Sequence, residues 1–428
     1  MNAWILFGTF SVLMVAGVPI AVALGLAGVA VIAFADMGMM SVPTTVYGGI
    51  AKYPLLAIPV FILAGLVFER TGVAASMVRF VSSIVGRRRG GLATAAVIVC
   101  MILGGISGSG VADAAAVGAI MIPAMARAGY PKPFSASLIA AGGATDVLIP
   151  PSVAFIIYSI LVPQASVPAL FAAGIIPGLL AGLALVSVAV FLSVRHDFGA
   201  HDPEPTPPFW KSLREASWGL FAPVVILGGM RSGLFTPTEA AVVAVVYGIV
   251  VGMLVYRQMR WRDLWGVLAE AAEISAVVML MVGLASVFGW AVDTIGVFNA
   301  FAKSLTAAGT SETLVLLAIT AMLMLAGTFL DAIATFFIFL PFLIPIAIAY
   351  EWDLVWFGVI VTLNVAIGAF TPPTAVNLMV TCRIAGIPLE STFRWTLWMV
   401  FAMTLVLLLL TFVPEISLWL PRKLGYLG

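Results

Sequence analysis

Residues 104–113 read Gly104-Gly105-Ile106-Ser107-Gly108-Ser109-Gly110-Val111-Ala112-Asp113. This run of small and polar residues interrupts an apolar stretch from 91 to 126. The whole stretch is too long for one membrane span, and each half, roughly 15–18 residues, is short for a full crossing at about 1.5 Å per residue. Glycines let the backbone turn tightly at the interruption. The pattern predicts a re-entrant hairpin, whose two arms enter and leave on the same side. A second apolar stretch, 314–348, is interrupted around Gly327-Thr328 and predicts a second hairpin.

The rest of the chain fits a bilayer. Of its 428 residues, 63% are hydrophobic and 9% are charged. Soluble chains average about 45–50% apolar and about 25% charged. A soluble multi-domain enzyme is excluded. So is a nucleic-acid-binding protein, because 20 Lys and Arg nearly balance 19 Asp and Glu with no broad basic face. Spans are predicted at 4–35 with a kink at Pro19, and at 54–70, 134–163, 170–195, 217–231, 237–256, 271–293, 354–385 and 391–414. The first is read as a retained span, since no basic segment precedes it. The stretches 72–88 and 257–270 read as amphipathic arms. Residues 196–208 form the one long polar linker. Cys100 and Cys382 lie in apolar runs without partners at metal or redox spacing and are expected to be small buried hydrophobes.

The two halves of the chain resemble each other. Pro19 and Pro237, Asp113 and Asp331, and Pro123 and Pro341 each stand 218 residues apart. Ile149-Pro150-Pro151-Ser152 matches Thr371-Pro372-Pro373-Thr374 after a four-residue insertion. Arg87–Arg89, Arg127 and Lys132 flank the first hairpin, which places its ends in the cytoplasm. Glu312, Glu351 and Asp353 flank the second, which places its ends on the opposite side. The fold expected is an all-α polytopic membrane protein with an inverted-topology repeat, two re-entrant hairpins and two broken helices. That pattern belongs to secondary transporters, with sites near the bilayer midplane.

The chemistry follows from the breaks. A broken helix exposes N–H groups on one half and C=O groups on the other, so anions and cations both find partners there. Gly108 and its neighbours make the first tip, and Ser107 and Ser109 add hydroxyl oxygens suited to a hard cation. Pro150-Pro151 and Pro372-Pro373 leave carbonyls unpaired. Asp113 and Asp331 each lie deep in an apolar run, which points to a cation site, Na⁺ or H⁺, or to an acid at a helix N-terminus. Asp146, before Pro150, fits a cation ligand, a wall of the substrate cavity or a structural hydrogen bond. Glu239, after Thr236-Pro237, reads as helix-start chemistry.

Enzyme motifs are absent. Gly105 and Gly110 have phosphate-loop spacing, but Val111 stands where that loop needs a lysine. The remote alternatives are an intramembrane aspartyl protease using Asp113 and Asp331, and a non-transporting membrane scaffold.

Five motifs together carry a family resemblance: Gly105-Ile-Ser-Gly-Ser-Gly-Val-Ala-Asp113, Ile149-Pro-Pro-Ser152, Gly233-Leu-Phe-Thr-Pro-Thr-Glu-Ala-Ala241, Gly327-Thr-Phe-Leu-Asp331 and Thr371-Pro-Pro373. With Leu56-Ala-Ile-Pro-Val-Phe-Ile-Leu-Ala-Gly65, they resemble the large, DctM-like membrane subunit of tripartite ATP-independent periplasmic (TRAP) transporters over nearly the whole chain. The resemblance implies a Na⁺-coupled, elevator-type importer of an organic acid (a C4-dicarboxylate, sialic acid or a similar carboxylate) in the bacterial inner membrane. It implies a periplasmic substrate-binding protein and a small four-helix membrane subunit as partners.

It also implies two Na⁺ sites. The first comprises Ser107, Gly108, Ser109, Asp113, Thr145 and Pro150; the second comprises Gly327, Thr328, Asp331, Gly368, Thr371 and Pro372. The substrate would lie near Ser109, Asp146, Ser152, Thr371 and Asn377. Asp146 departs from the uncharged residues that relatives more often carry there. The transport element would be 90–195 with 311–428, and the scaffold 1–89 with 212–310, joined by the cytoplasmic linker 196–211. A stand-alone ion-coupled carboxylate transporter is the alternative within the same architecture.

Overall fold

A computed structural model describes residues 2–86, 88–199, 207–307 and 309–427. The first half holds ten α-helices: α1 (Asn2–Val15), α2 (Ile20–Phe34), α3 (Ser41–Ile50), α4 (Ala57–Arg70), α5 (Val73–Val85), α6 (Gly91–Ser107), α7 (Gly110–Arg127), α8 (Lys132–Ala144), α9 (Val153–Leu161) and α10 (Val167–His196). The second half holds α11 (Phe209–Arg231), α12 (Pro237–Val250), α13 (Trp261–Ile295), α14 (Val297–Ala307), α15 (Glu312–Gly327), α16 (Ala332–Ala349), α17 (Leu354–Gly368), α18 (Val376–Ala385), α19 (Phe393–Phe412) and α20 (Glu415–Lys423). Among the described residues all regular structure is helical, and seven helices are long and apolar enough to cross a membrane. They become eight if α8 and α9, bent by 43° at their break, form one span.

Local chemistry explains the breaks. The expected first span is two helices, because Gly17 turns with φ +78° and Pro19 follows it. Gly108 closes α6 in the left-handed region, φ +62°, with its N–H on the Gly104 carbonyl at 3.2 Å. The arms on either side of the two glycine-centred interruptions are 17 and 18 residues, then 16 and 18. Peptide bonds Pro150-Pro151 and Pro372-Pro373 are both cis. The stretch 354–385 is two helices, α17 and α18, with the second Pro-Pro pair between them.

Two expectations change. Residues 261–270 are not a separate arm but the first turns of α13, because the Asp263 carboxylate accepts the Arg260 N–H at 2.8 Å and starts the helix there. At about 1.5 Å per residue, α13 is then about 50 Å long, more than a bilayer core needs. The linker 196–211 begins as the end of α10, where Asp197 pairs with Arg89 at 2.8 Å; residues 200–206 lie outside the described residues, as does Arg87 of the basic run. Helices α3, α14 and α20 lie outside every predicted span, hairpin and arm.

Two groups of helix contacts stand out, and they meet where α4 and α5 pack on α6 and α13 packs on α16. Helix α13 packs against α2, α3 and α4; α4 packs on α12, and α11 on α5 and α12. In the other set α6 packs on α8 and α10, α15 on α17, and α10 on α17 and α19. Tyr130, Phe134, Phe198, His196 and Trp395 stack where α8, α10 and α19 meet. Outward-facing Trp210, Trp218, Trp261 and Trp265 stand near the starts of α11 and α13 beside arginines and lysine, the place where indoles anchor helices at an interface. Cys100 and Cys382 are both free and buried, as expected.

Candidate functional site at the helix breaks

The α6–α7 turn seats on the first break. A Cβ built on Gly108 would lie 2.8 Å from the Pro151 carbonyl oxygen, and one on Gly110 would lie 2.5 Å from that of Gly143. Only glycine permits so close a backbone approach. Ser107 is buried, and its hydroxyl accepts the Ser109 N–H at 3.2 Å. Ser109 caps α7 with its backbone and leaves its side chain exposed and free of a capping bond.

Asp113 and Asp146 come together in the space behind this turn. Asp113 is 4% exposed and Asp146 is fully buried. Their carboxyls face each other, and the Ser107 hydroxyl stands beside that of Asp113. Asp113 Oδ2 and both oxygens of Asp146 have no hydrogen-bond partner. Gly104 makes room for the pair, since a Cβ there would lie 2.4 Å from Asp146 Oδ1. Thr145 is buried and donates to the Gly142 carbonyl at 2.7 Å. Ser152 is buried in its own turn: it donates to the Val147 carbonyl at 2.6 Å and accepts the Phe155 N–H at 3.3 Å. Pro150 is buried next to the turn, with its carbonyl oxygen 3.5 Å from a Cβ on Gly105.

The second break is built differently. Asp331 is exposed and caps α16, its Oδ1 accepting the Ala334 N–H at 2.8 Å. Of the two expectations for Asp331, the helix cap is thus met. Gly327 and Gly368 touch through bare backbone. Thr328 donates to the Leu325 carbonyl at 2.7 Å, Thr371 to that of Ile367 at 2.5 Å, and Thr374 to that of Thr328. Pro372 is half-buried beside them.

Each broken helix reaches across to the other half of the chain. Tyr158 on α9 donates to the Leu354 carbonyl at the start of α17, 2.8 Å away. Asn377 on α18 donates to the Ala140 carbonyl on α8, 3.3 Å away. Asn377 therefore belongs beside α7 and α8, and its amide nitrogen is 3.4 Å from a Cβ placed on Gly110.

Two residues escaped the sequence reading. Asn364 is fully buried on α17 close to Gly327, with Oδ1 unpartnered. It is the single amide in that apolar helix, which was the available signal. Glu69, at the end of α4, lines a small cavity with Ser107 and Asp113. A larger cavity of about 710 Å³ lies elsewhere, between α3, α13 and α16, and includes Lys52, Ser286, Asp293 and Pro341. Unlike the region of Asp113, Asp146 and Asn364, this cavity is lined by no buried unpartnered side-chain oxygen among the described residues. Glu239 forms a capping box with Thr236, as its context predicts.

Comparisons place this architecture. The family described as "Tripartite ATP-independent periplasmic transporter, DctM component" matches residues 7–416. The chain is 38% identical over 417 residues to an isethionate TRAP transporter permease protein, DctMQ, of Oleidesulfovibrio alaskensis, covering 97% of this chain but 66% of that relative. It is 38% identical to the C4-dicarboxylate TRAP transporter large permease protein of Pseudomonas aeruginosa, covering 94% of each. It is 35% identical to the sialic acid large permease protein SiaM of Vibrio cholerae, covering 97% of each. The solved YdaH transporter of Alcanivorax borkumensis superposes with a TM-score of 0.68 at 15% identity, over 90% of this chain and 89% of that one, a likeness of fold. The chain belongs to the DctM family of TRAP transporter large permeases and is a multi-pass inner-membrane transport protein, not an enzyme.

Proposed function

We propose that the chain is the transport subunit of a Na⁺-coupled importer of a small organic anion, a carboxylate in the first instance. The observation that carries the coupling is the cluster of three buried, unpartnered carboxylate oxygens behind the α6–α7 turn. An ionised carboxylate inside a membrane protein requires a partner, and none of the described side chains supplies a cation there. The residues thus fit a hard monovalent cation. Asp113 would hold Na⁺ with Ser107 and the backbone from Gly108 to Ser109 and Thr145 to Pro150. A second site would use Gly327, Thr328 and Asp331 with Gly368, Thr371 and Pro372, and Asn364 Oδ1 is a further oxygen within that neighbourhood. Bound Na⁺ would supply positive charge that helps retain an anionic substrate.

Ser109, exposed at the first turn, and Thr371, half-buried at the second break, would meet the substrate. Relatives carry names that cover isethionate, C4-dicarboxylates and sialic acid, all organic anions. The glycine-centred pairs α6–α7 and α15–α16, each followed by a helix pair broken at a Pro-Pro, and the Tyr158–Leu354 and Asn377–Ala140 contacts support an inverted repeat with two re-entrant hairpins. In that arrangement 90–195 and 311–428 move together as an elevator against 1–89 and 212–310. A periplasmic binding protein would deliver the substrate, and a small membrane subunit would brace the scaffold. The test is uptake in proteoliposomes with both partners. Uptake should require an inward Na⁺ gradient and fail without either partner; uptake indifferent to Na⁺ would overturn the coupling.

A further inference from the structure

We propose that the cavity between α3, α13 and α16 seats one phospholipid whose headgroup carries both a phosphate and a primary ammonium. Lys52 holds the phosphate, Asp293 holds the ammonium, and an acyl chain lies along α16. The lipid fills the junction where α13 packs on α16, and its binding is independent of Na⁺ coupling.

The cavity has the size and the wall for an amphiphile. Its volume, about 710 Å³, falls in the range of small-molecule sites. Its long wall is one face of α16, made by Phe337, Leu340, Ile344 and Ile348 at spacings of three and four. A fully polar ligand would leave that wall in water, whereas a hydrocarbon chain covers it. Gly48 and Gly289 keep the space open, since a Cβ on either meets nothing within 4 Å.

The charges select the headgroup. Among the described residues, Lys52 and Asp293 are the only charged side chains that line the cavity, and both are exposed. They do not pair with each other, and neither side chain has a hydrogen bond or ion pair to another described residue. Each also stands at the helix end that disfavours it. Lys52 precedes the helical stretch Tyr53–Arg70, whose N-terminus carries partial positive charge. Asp293 lies in the last turn of α13, where the partial charge is negative and no base offsets it. A phosphate on one and an ammonium on the other offset both. An ammonium has three N–H donors, so it bonds a carboxylate together with a backbone acceptor. Pro345 frees one such acceptor on the cavity wall, the Pro341 carbonyl. A choline headgroup has no N–H donor, and a glycerol headgroup has no positive charge. Exposed Tyr47 and Tyr53 stand near Lys52 in the chain, as tyrosines do at headgroup depth.

The test is thermal unfolding in detergent of the chain purified with its small membrane subunit. It is titrated in turn with dioleoyl phosphatidylethanolamine, phosphatidylcholine and phosphatidylglycerol. The ethanolamine lipid should stabilise saturably, with a midpoint about tenfold below either of the others. Equal midpoints for the three would overturn the proposal. Gly289→Leu fills the cavity, so it should unfold at the wild-type temperature without lipid and lose the response. Asp293→Asn should erase the preference for ethanolamine over choline, and Lys52→Gln should weaken all three lipids by about tenfold. A wild-type response in Gly289→Leu would overturn the proposal. So would a retained ethanolamine preference in Asp293→Asn, whose exposed position keeps the test decisive where Gly289→Leu fails to fold. A response of the chain alone that vanishes once the small subunit is added would give the cavity to that subunit and overturn the lipid.

Discussion

Gly327 and Gly368 meet backbone to backbone, and a Cβ placed on Gly368 would lie 2.4 Å from the Gly327 carbonyl carbon. No side chain can yield at such a contact, because both partners are main chain. Gly368→Ala should therefore force α15 and α17 apart and cost about 1–3 kcal/mol. Thermal unfolding in detergent checks this, and uptake should fall with it. Gly266, with nothing within 4 Å, is the control. There alanine should be neutral or stabilise by up to about 1 kcal/mol.

Asp331 has a structural and a proposed ionic role, which two substitutions separate. Asp331→Ala loses the bond to the Ala334 N–H and should cost about 0.5–2 kcal/mol. Asp331→Asn keeps a capping oxygen and should retain most of that stability. If the charge also helps hold Na⁺, the Asn variant should need several-fold more Na⁺ for half-maximal uptake. An unchanged Na⁺ requirement would reduce Asp331 to its cap.

Ser109 and Ser152 look alike in sequence and should behave oppositely. Ser152→Ala removes a cap and a donor, so stability should fall by about 0.5–2 kcal/mol. Ser109→Ala removes an exposed hydroxyl that makes no capping bond, and should change stability by less than about 0.5 kcal/mol. A substrate role for Ser109 then appears as a raised half-saturating substrate concentration in uptake assays.

The two bonds between the halves of the chain should differ in cost. Asn377→Ala leaves the buried Ala140 carbonyl without that donor and opens a small space, a loss of about 1–3 kcal/mol. Tyr158→Phe gives up one hydroxyl bond and keeps the ring, a loss of about 0.5–1.5 kcal/mol. Denaturation of the two variants under the same conditions gives the order.

Much of the fold was legible because its signals are local. The turn at Gly108 follows from a glycine run inside an apolar stretch, and the Thr236–Glu239 cap from a four-residue pattern. The split between α17 and α18 was expected at Pro372-Pro373 for the same reason. The start of α13 was not, because 257–270 has both the charge of an arm and the capping chemistry of a helix, and packing against α2 to α4 favours one continuous helix.

The candidate site shows where local signals stop. Asp113 and Asp331 occupy matching places in the two halves, and sequence alone gives them the same two readings. The structure separates them, one buried against a second acid and the other exposed as a cap. The cause lies 33 residues from Asp113 and 37 from Asp331, where Asp146 and Gly368 each precede a Pro-Pro pair by the same four residues. In one half that position supplies a carboxylate, and in the other a bare backbone that lets two helices touch. The sequence by itself determined the membrane class and the breaks, since hydropathy, glycine and proline act through neighbouring residues. Only the tertiary structure decided which acids are buried, paired or spent on caps, because desolvation and charge pairing depend on what packing brings near.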